Sequence, residues 1–134
     1  HEVPIALAEF YRVLKEDGIV LLRCPDIQSV FEAVSQDKLL ETFYETEDGQ
    51  KIAPIDIIYG NRQEIVEGNE YMAKKCGFTY SVLNMAFSEA GFKARYGGRL
   101  AFNGAELVLV AFKQKKTEEE IKKIANPFLP PWFV

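Results

Sequence analysis

Residues 3–26, VPIALAEFYRVLKEDGIVLLRCPD, constrain the fold more tightly than any other stretch of this chain. Leu7, Phe10, Tyr11 and Leu14 recur at the spacing that lays one apolar stripe along a helix, while Glu9, Arg12, Lys15 and Glu16 fall mostly off it. Asp17-Gly18 is the predicted stop, because glycine tolerates the left-handed conformation that ends many helices. Ile19, Val20, Leu21 and Leu22 then follow without a polar residue between them. That pattern suits a strand covered on both faces, as the parallel strands of α/β sheets are. A helix feeding such a strand is an αβ unit, and it needs a sheet to join.

With 134 residues and 48% hydrophobic content, the chain can bury a real core and is expected to be a single domain, residues 1–134. A net charge of -4 argues against the excess of Lys and Arg from which phosphate-tracking surfaces are built, so no nucleic-acid partner is expected. No apolar run approaches the roughly 20 residues of a membrane-spanning helix, so no membrane partner is expected either. Cys24 and Cys76 are far apart, with only His1 to assist them, which is not the close-paired spacing of a zinc site. No metal is expected, and free thiols in a reducing cytoplasm are the predicted state. The chain opens on His1 rather than Met, which points to a cut from something longer.

After the first strand, Asp26 is placed to cap a helix over Ile27 to Gln36, with Val30, Phe31 and Val34 as its apolar face. Asp48-Gly49 predicts a small hairpin within residues 42–53. Pro54 to Gly60 has the proline-first, glycine-last form of a short helix, and Asn61 to Lys75 reads as two helical pieces broken at Gly68-Asn69. Residues 38–78 lack an alternating βα rhythm and are read as a mixed insert beside the sheet. Thr79 can cap a helix whose stripe is Leu83, Ala86, Phe87 and Ala90 and which Gly91 ends. Arg95 to Phe102 alternates as a half-buried strand, with Gly97-Gly98 as a candidate bulge. Asn103-Gly104 is a strong hairpin signal before the apolar strand Leu107 to Phe112. Thr117 and Glu120 form a capping box, opening the terminal helix and apolar tail of residues 117–134.

Two of these segments carry a family resemblance. EFYRVLKEDGIVLLRCPD, with its LKEDG turn at Leu14 to Gly18, resembles the helix, turn and fifth strand of class I S-adenosylmethionine-dependent methyltransferases. SVLNMAFSEAGF, Ser81 to Phe92, resembles the family's helix before its last two strands. The fold this implies is α/β: a partial Rossmann-like methyltransferase sheet, with one parallel strand plus a C-terminal antiparallel hairpin, flanking helices and the insert. The implied strand order is the Ile19 strand, the Leu107 strand, then the Arg95 strand. The implied reaction is in-line methyl transfer to a small molecule. What matches is the later part of that fold, since no G-x-G follows a predicted strand and opens a helix. S-adenosylmethionine is therefore expected as cofactor of the intact protein and not of this chain alone, and the missing N-terminal half of the fold is an expected partner.

Ligands of open α/β sheets bind at the carboxyl ends of the strands, which makes Arg23 and Asp26 candidates for substrate contact, although Asp26 also reads as a plain helix cap. By resemblance His1 lies in the loop after strand four, near the chemistry; from the residues alone it reads first as a frayed terminus with no role. Tyr59, Asn61, Arg62, Asn69 and Tyr71 cluster in the insert, where the resembled family often builds selectivity, and they suit a polar or anionic small molecule as well as an ordinary packed insert. Met72 and Met85 read as core fillers. A different class of function also fits: a non-catalytic α/β interaction module. In that reading the chain associates, as a homo-oligomer, through the Ile19 to Leu22 edge or the tail with Phe128, Trp132 and Phe133.

Overall fold

The computed structural model describes residues 1–100, 106–130 and 133. Helix α1 (Val3–Val13) leads into strand β1 (Ile19–Pro25), and α2 (Ile27–Val34) follows. The insert carries a hairpin of β2 (Tyr44–Glu45) and β3 (Lys51–Ile52), then α3 (Pro54–Tyr59), α4 (Arg62–Val66) and a 3-10 turn at Glu70–Met72. Helix α5 (Tyr80–Glu89) precedes β4 (Ala94–Leu100), β5 (Glu106–Phe112) and α6 (Glu118–Ala125). Among the described residues no helix is long and apolar enough to cross a membrane.

The architecture is mixed α/β, with the three long strands ordered β1-β5-β4. β5 pairs antiparallel with both neighbours: Ile19 stands opposite Phe112 on one side and Ala94 opposite Phe112 on the other. The strand order is the one expected. The parallel strand is not: β1 and β4 run the same way, but each meets only the antiparallel β5, and a single parallel bridge, Asp26 with Phe78, lies just beyond the end of β1. A parallel ladder needs a neighbour on the outer edge of β1, and none stands there among the described residues.

Two cores sandwich this sheet. Leu107, Leu109 and Ala111 point toward α1 and α5, where they meet Leu7, Leu83, Phe87 and Phe92. Val108, Val110 and Phe112 point the other way, onto Ala125 at the end of α6 and Leu129 beyond it. β1 is covered less completely than its apolar run implies, because Leu21 is 41% exposed on the α6 side. A third, smaller core of Val30, Ile52 and Ile57 ties the insert to α2.

Local chemistry explains the element boundaries, including those that differ from expectation. Leu14 is already extended, so α1 ends at Val13 and not at Asp17-Gly18. Gly18 gives room instead: a Cβ there would lie 2.8 Å from the end of the Leu14 side chain and 3.1 Å from the Lys15 main-chain oxygen. Phe10 leaves the α1 stripe and is exposed. α2 stops two residues early, at Val34, and Asp37 then turns the chain with φ 62°. The hairpin loop spans Glu47 to Gly49 and not two residues, because Thr46 and Gln50 pair and Gly49 takes φ 86° beyond the turn, the usual three-residue solution. Thr79 and Thr117 cap α5 and α6 as expected. Of the tail, Leu129 is buried and Phe133 packs edge-on against Tyr96 at 5.7 Å, so part of it docks on its own sheet. Asn103-Gly104 and Trp132 lie outside the described residues.

Gly97-Gly98 is not a bulge, since the ladder runs unbroken through Gly97 opposite Leu109 and Gly98 opposite Val108. The two glycines do different work. A Cβ on Gly97 would lie 2.0 Å from the main-chain oxygen of Val108, whereas one on Gly98 would meet only the Phe133 ring at 3.3 Å. Gly97→Ala is therefore expected to cost about 2–3 kcal/mol, a fall in Tm of about 10 °C, while Gly98→Ala costs less than about 1 kcal/mol because a ring edge can give. Thermal denaturation of the two variants checks this, and equal losses would show that the approach of Val108 is not what selects glycine.

Candidate functional site

Beyond the carboxyl end of β1 a cleft of about 430 Å³ opens between the sheet and the insert. Its floor is Arg23, Cys24 and Pro25, with Glu106 from the start of β5. The hairpin supplies Tyr44, Thr46, Gln50 and Ile52 on one wall; Asp56, Ile57, Asn61, Met72 and Lys74 make the other. A second groove of about 450 Å³, mainly apolar, lies on the far side of Pro25 and Lys74, lined by Phe31, Tyr59, Cys76 and Phe78 among others.

Short helices with polar caps build the insert wall. Pro54 opens α3, and Asp56 in its first turn reaches back to accept from the Ala53 N–H at 2.9 Å. The same carboxylate accepts from Arg62 Nε at 2.6 Å and Nη2 at 3.2 Å. Burial alone would raise the Asp56 carboxyl, but these hydrogen bonds and the guanidinium outweigh it and hold it below its ordinary value. Asn61 caps α4 by accepting from Gln63 and Glu64 N–H groups, and its amide donates to Gln50 Oε1 at 3.1 Å, closing hairpin and helix together.

Of the residues singled out from the sequence, Arg23 and Asn61 line the cleft. Arg23 is ion-paired with Glu106. Arg62 bears on the cleft through Asp56. Asp26 is fully buried beneath it, capping α2 through the Gln28 N–H and accepting from Ser29 Oγ at 2.7 Å and Arg99 Nε at 2.6 Å. Tyr59 belongs to the neighbouring groove. Asn69 donates to Glu64 at 3.1 Å in a surface turn, and Tyr71 is fully exposed. His1 is exposed and lies 4.0 Å from Glu2. Met72 lines the cleft and Met85 is exposed, so neither is a core filler.

Tyr44, Gln50, Asp56, Lys74 and Glu106 line the cleft without having been singled out. An acidic residue at the third position of the Pro54 helix was a visible signal for Asp56. Nothing local marked Lys74, whose ammonium donates to the Ile57 carbonyl at 3.0 Å across 17 residues of chain. Burial lowers the Lys74 pKa, with Asp56 partly opposing it, and burial raises the Tyr44 phenol with help from Glu106 and Asp56. Cys24 is pushed up to about 11, chiefly by burial and then by the charges of Asp26, Cys76 and Glu106. A thiol and a phenol both held protonated suit the cleft to recognition and positioning more than to nucleophilic attack.

The turn leaving β1, Pro25-Asp26, contains no glycine, and its carboxylate is spent on Arg99, Ser29 and the α2 N-terminus. These residues do not fit a cradle for S-adenosylmethionine, which needs close main-chain approach and a free acidic side chain for the ribose. Comparison of the chain with family models, with curated proteins and with solved structures finds no match.

Two measurements check this geometry. Asp56→Asn is expected to cost about 2 kcal/mol at neutral pH. A carboxyl lowered in the folded state adds stability above its unfolded pKa of about 3.9 and loses it as pH falls through the folded value, so variant and parent converge in strong acid. Urea denaturation across pH reads this; a gap that persists in acid would show that ionised Asp56 is not its source. Iodoacetamide should alkylate exposed Cys76 readily at pH 8, and Cys24, with a thiolate fraction of about one in a thousand, at least about a hundredfold more slowly. Peptide masses over time give both rates, and equal rates would contradict a thiol held protonated.

Proposed function

We propose that this chain is the carboxyl-terminal part of a class I S-adenosylmethionine-dependent methyltransferase, and that the cleft beyond β1 holds its small-molecule acceptor. The observation that carries this reading is the sheet: β1, β5 and β4 stand in the order the resemblance implies, with the outer two strands running the same way and no strand on the outer edge of β1 among the described residues. A strand pairing parallel along that edge would continue the sheet toward a cofactor-binding half. The poor fit of the Pro25-Asp26 turn to the cofactor agrees with a cradle carried elsewhere. The cleft then supplies shape and polar contacts around an acceptor, at the strand end where open α/β sheets bind ligands.

The open edge also favours a second reading, in which the chain is an interaction module and β1 pairs with another copy. One experiment separates the two. The protein is isolated from its own cell and incubated with methyl-labelled S-adenosylmethionine and a small-molecule extract, beside the 134-residue chain in calorimetry with the same donor. Methylation of extract compounds by the isolated protein, with no donor binding by the chain alone, is expected. Tight binding to the chain alone would overturn the division of labour proposed here. An isolated protein that neither binds nor consumes the donor would overturn the methyltransferase reading.

A further inference from the structure

Of the charged residues that line the cleft, Arg23, Glu106 and Asp56 are matched in ion pairs among the described residues and one is not. Arg23 pairs with Glu106, and Asp56 pairs with Arg62. Arg99, the cation nearest to buried Asp26, is held by that carboxylate and by Glu32. An arginine was the natural choice of anion binder from the sequence, yet each of these three is committed. Lys74 remains. Among the described residues it makes no ion pair, and its one side-chain hydrogen bond runs to the neutral carbonyl of Ile57. An ammonium has three donors, so two are left for whatever enters the cleft. Around it stand the apolar surfaces of Ile52, Ile57, Pro25 and Met72 and the ring of Tyr44.

We infer that the cleft takes a small organic acid, an apolar body bearing one carboxylate or phosphate, with Lys74 holding the anionic group. This rests on the cleft being the acceptor site, and it names the class of acceptor. The matched pairs matter for selectivity, since an anion need not break Arg23 from Glu106 or Arg62 from Asp56 to find a cation. A neutral ligand of the same shape would leave the Lys74 ammonium without a direct ion-pair partner, whereas an acid supplies one through a charge-assisted hydrogen bond.

The test uses benzoate, phenyl phosphate and benzamide as probes, titrated into the protein with no methyl donor present and followed by heteronuclear NMR. Benzoate or phenyl phosphate should shift signals of Lys74, Tyr44, Thr46 and Asn61, with the stronger of the two naming the preferred oxyanion. Benzamide should bind at least about tenfold more weakly, the effect of one charge-assisted contact. Lys74→Gln keeps a donor for the Ile57 carbonyl and removes the charge, so it should bring benzoate down to the benzamide level while leaving the remaining spectrum in place. Lys74→Arg should retain the preference for acids. Benzamide binding as well as benzoate, Lys74→Gln binding benzoate as the parent does, or shifts confined to residues outside the cleft would each overturn the assignment. Because no donor is present, such a result bears on the acid and not on methyl transfer, which the labelled-donor experiment judges separately.

Discussion

The sheet holds together because β5 is buried on both faces at once. Leu107 and Leu109 are sealed under α1 and α5, Val108 and Val110 under the α6 side, and each such side chain contributes about 1.5–3 kcal/mol on leaving water. A strand with no solvent face also needs its main-chain groups satisfied on both edges, and β1 and β4 do that in unbroken register. Register fixes the rest. Pairing Pro25 with Glu106 brings Arg23 to the Glu106 carboxylate, and pairing Leu100 with Glu106 brings Arg99 to the same end of the sheet, within reach of Asp26. The cleft is thus a consequence of how β5 is seated.

The ion pairs at that end serve geometry more than stability. Burying a carboxylate is costly, and a partner mostly offsets the cost of desolvation without a large surplus. What Asp26 gains from Arg99, Ser29 and the Gln28 N–H is a fixed entry angle for α2. Asp56 does the same for the insert: with Ala53 and Arg62 bound to one carboxylate, α3 and the start of α4 cannot move independently. Ile57 and Lys74 are then held opposite the hairpin, and the width of the cleft follows.

The parts of the fold that were legible in the sequence were those set by local chemistry. Thr79, Thr117 and Asp26 each cap the helix that follows them, since a side-chain oxygen three or fewer residues from an unpaired N–H needs no tertiary help. The order of the three strands came from resemblance and not from periodicity. Side-chain partners distant in sequence were not legible. Arg62 and Arg23 looked like free cations because nothing local reveals that Asp56 and Glu106 claim them. Gly97 looked like a bulge because a glycine demanded by a neighbouring strand's oxygen and one demanded by an extra residue leave the same mark. Asn69 and Tyr71 belonged to the right segment but to its outer surface.

The outer edge of β1 has a companion in α1 that bears on what could cover it. Pro4, Ala8 and Tyr11 turn toward α5, against Ala86, Ala90 and Phe92. Ala6, Phe10 and Val13, spaced by four and three residues, form a second stripe on the opposite flank of the helix, and all three are exposed. α5 contacts β4 and β5, and α1 lies beside α5 and shares a core with Val20, Leu22 and Cys24 of β1, so that stripe faces away from α5. A lone extended peptide added to β1 would satisfy the strand's N–H and C=O groups but leave Phe10 and Val13 in water. A strand followed or preceded by a helix in the same layer as α1 would satisfy both, because its helix would pack against the stripe while its strand pairs with Ile19 to Leu22. Under the proposed reading of this chain as part of a larger sheet, that addition would be a further αβ unit.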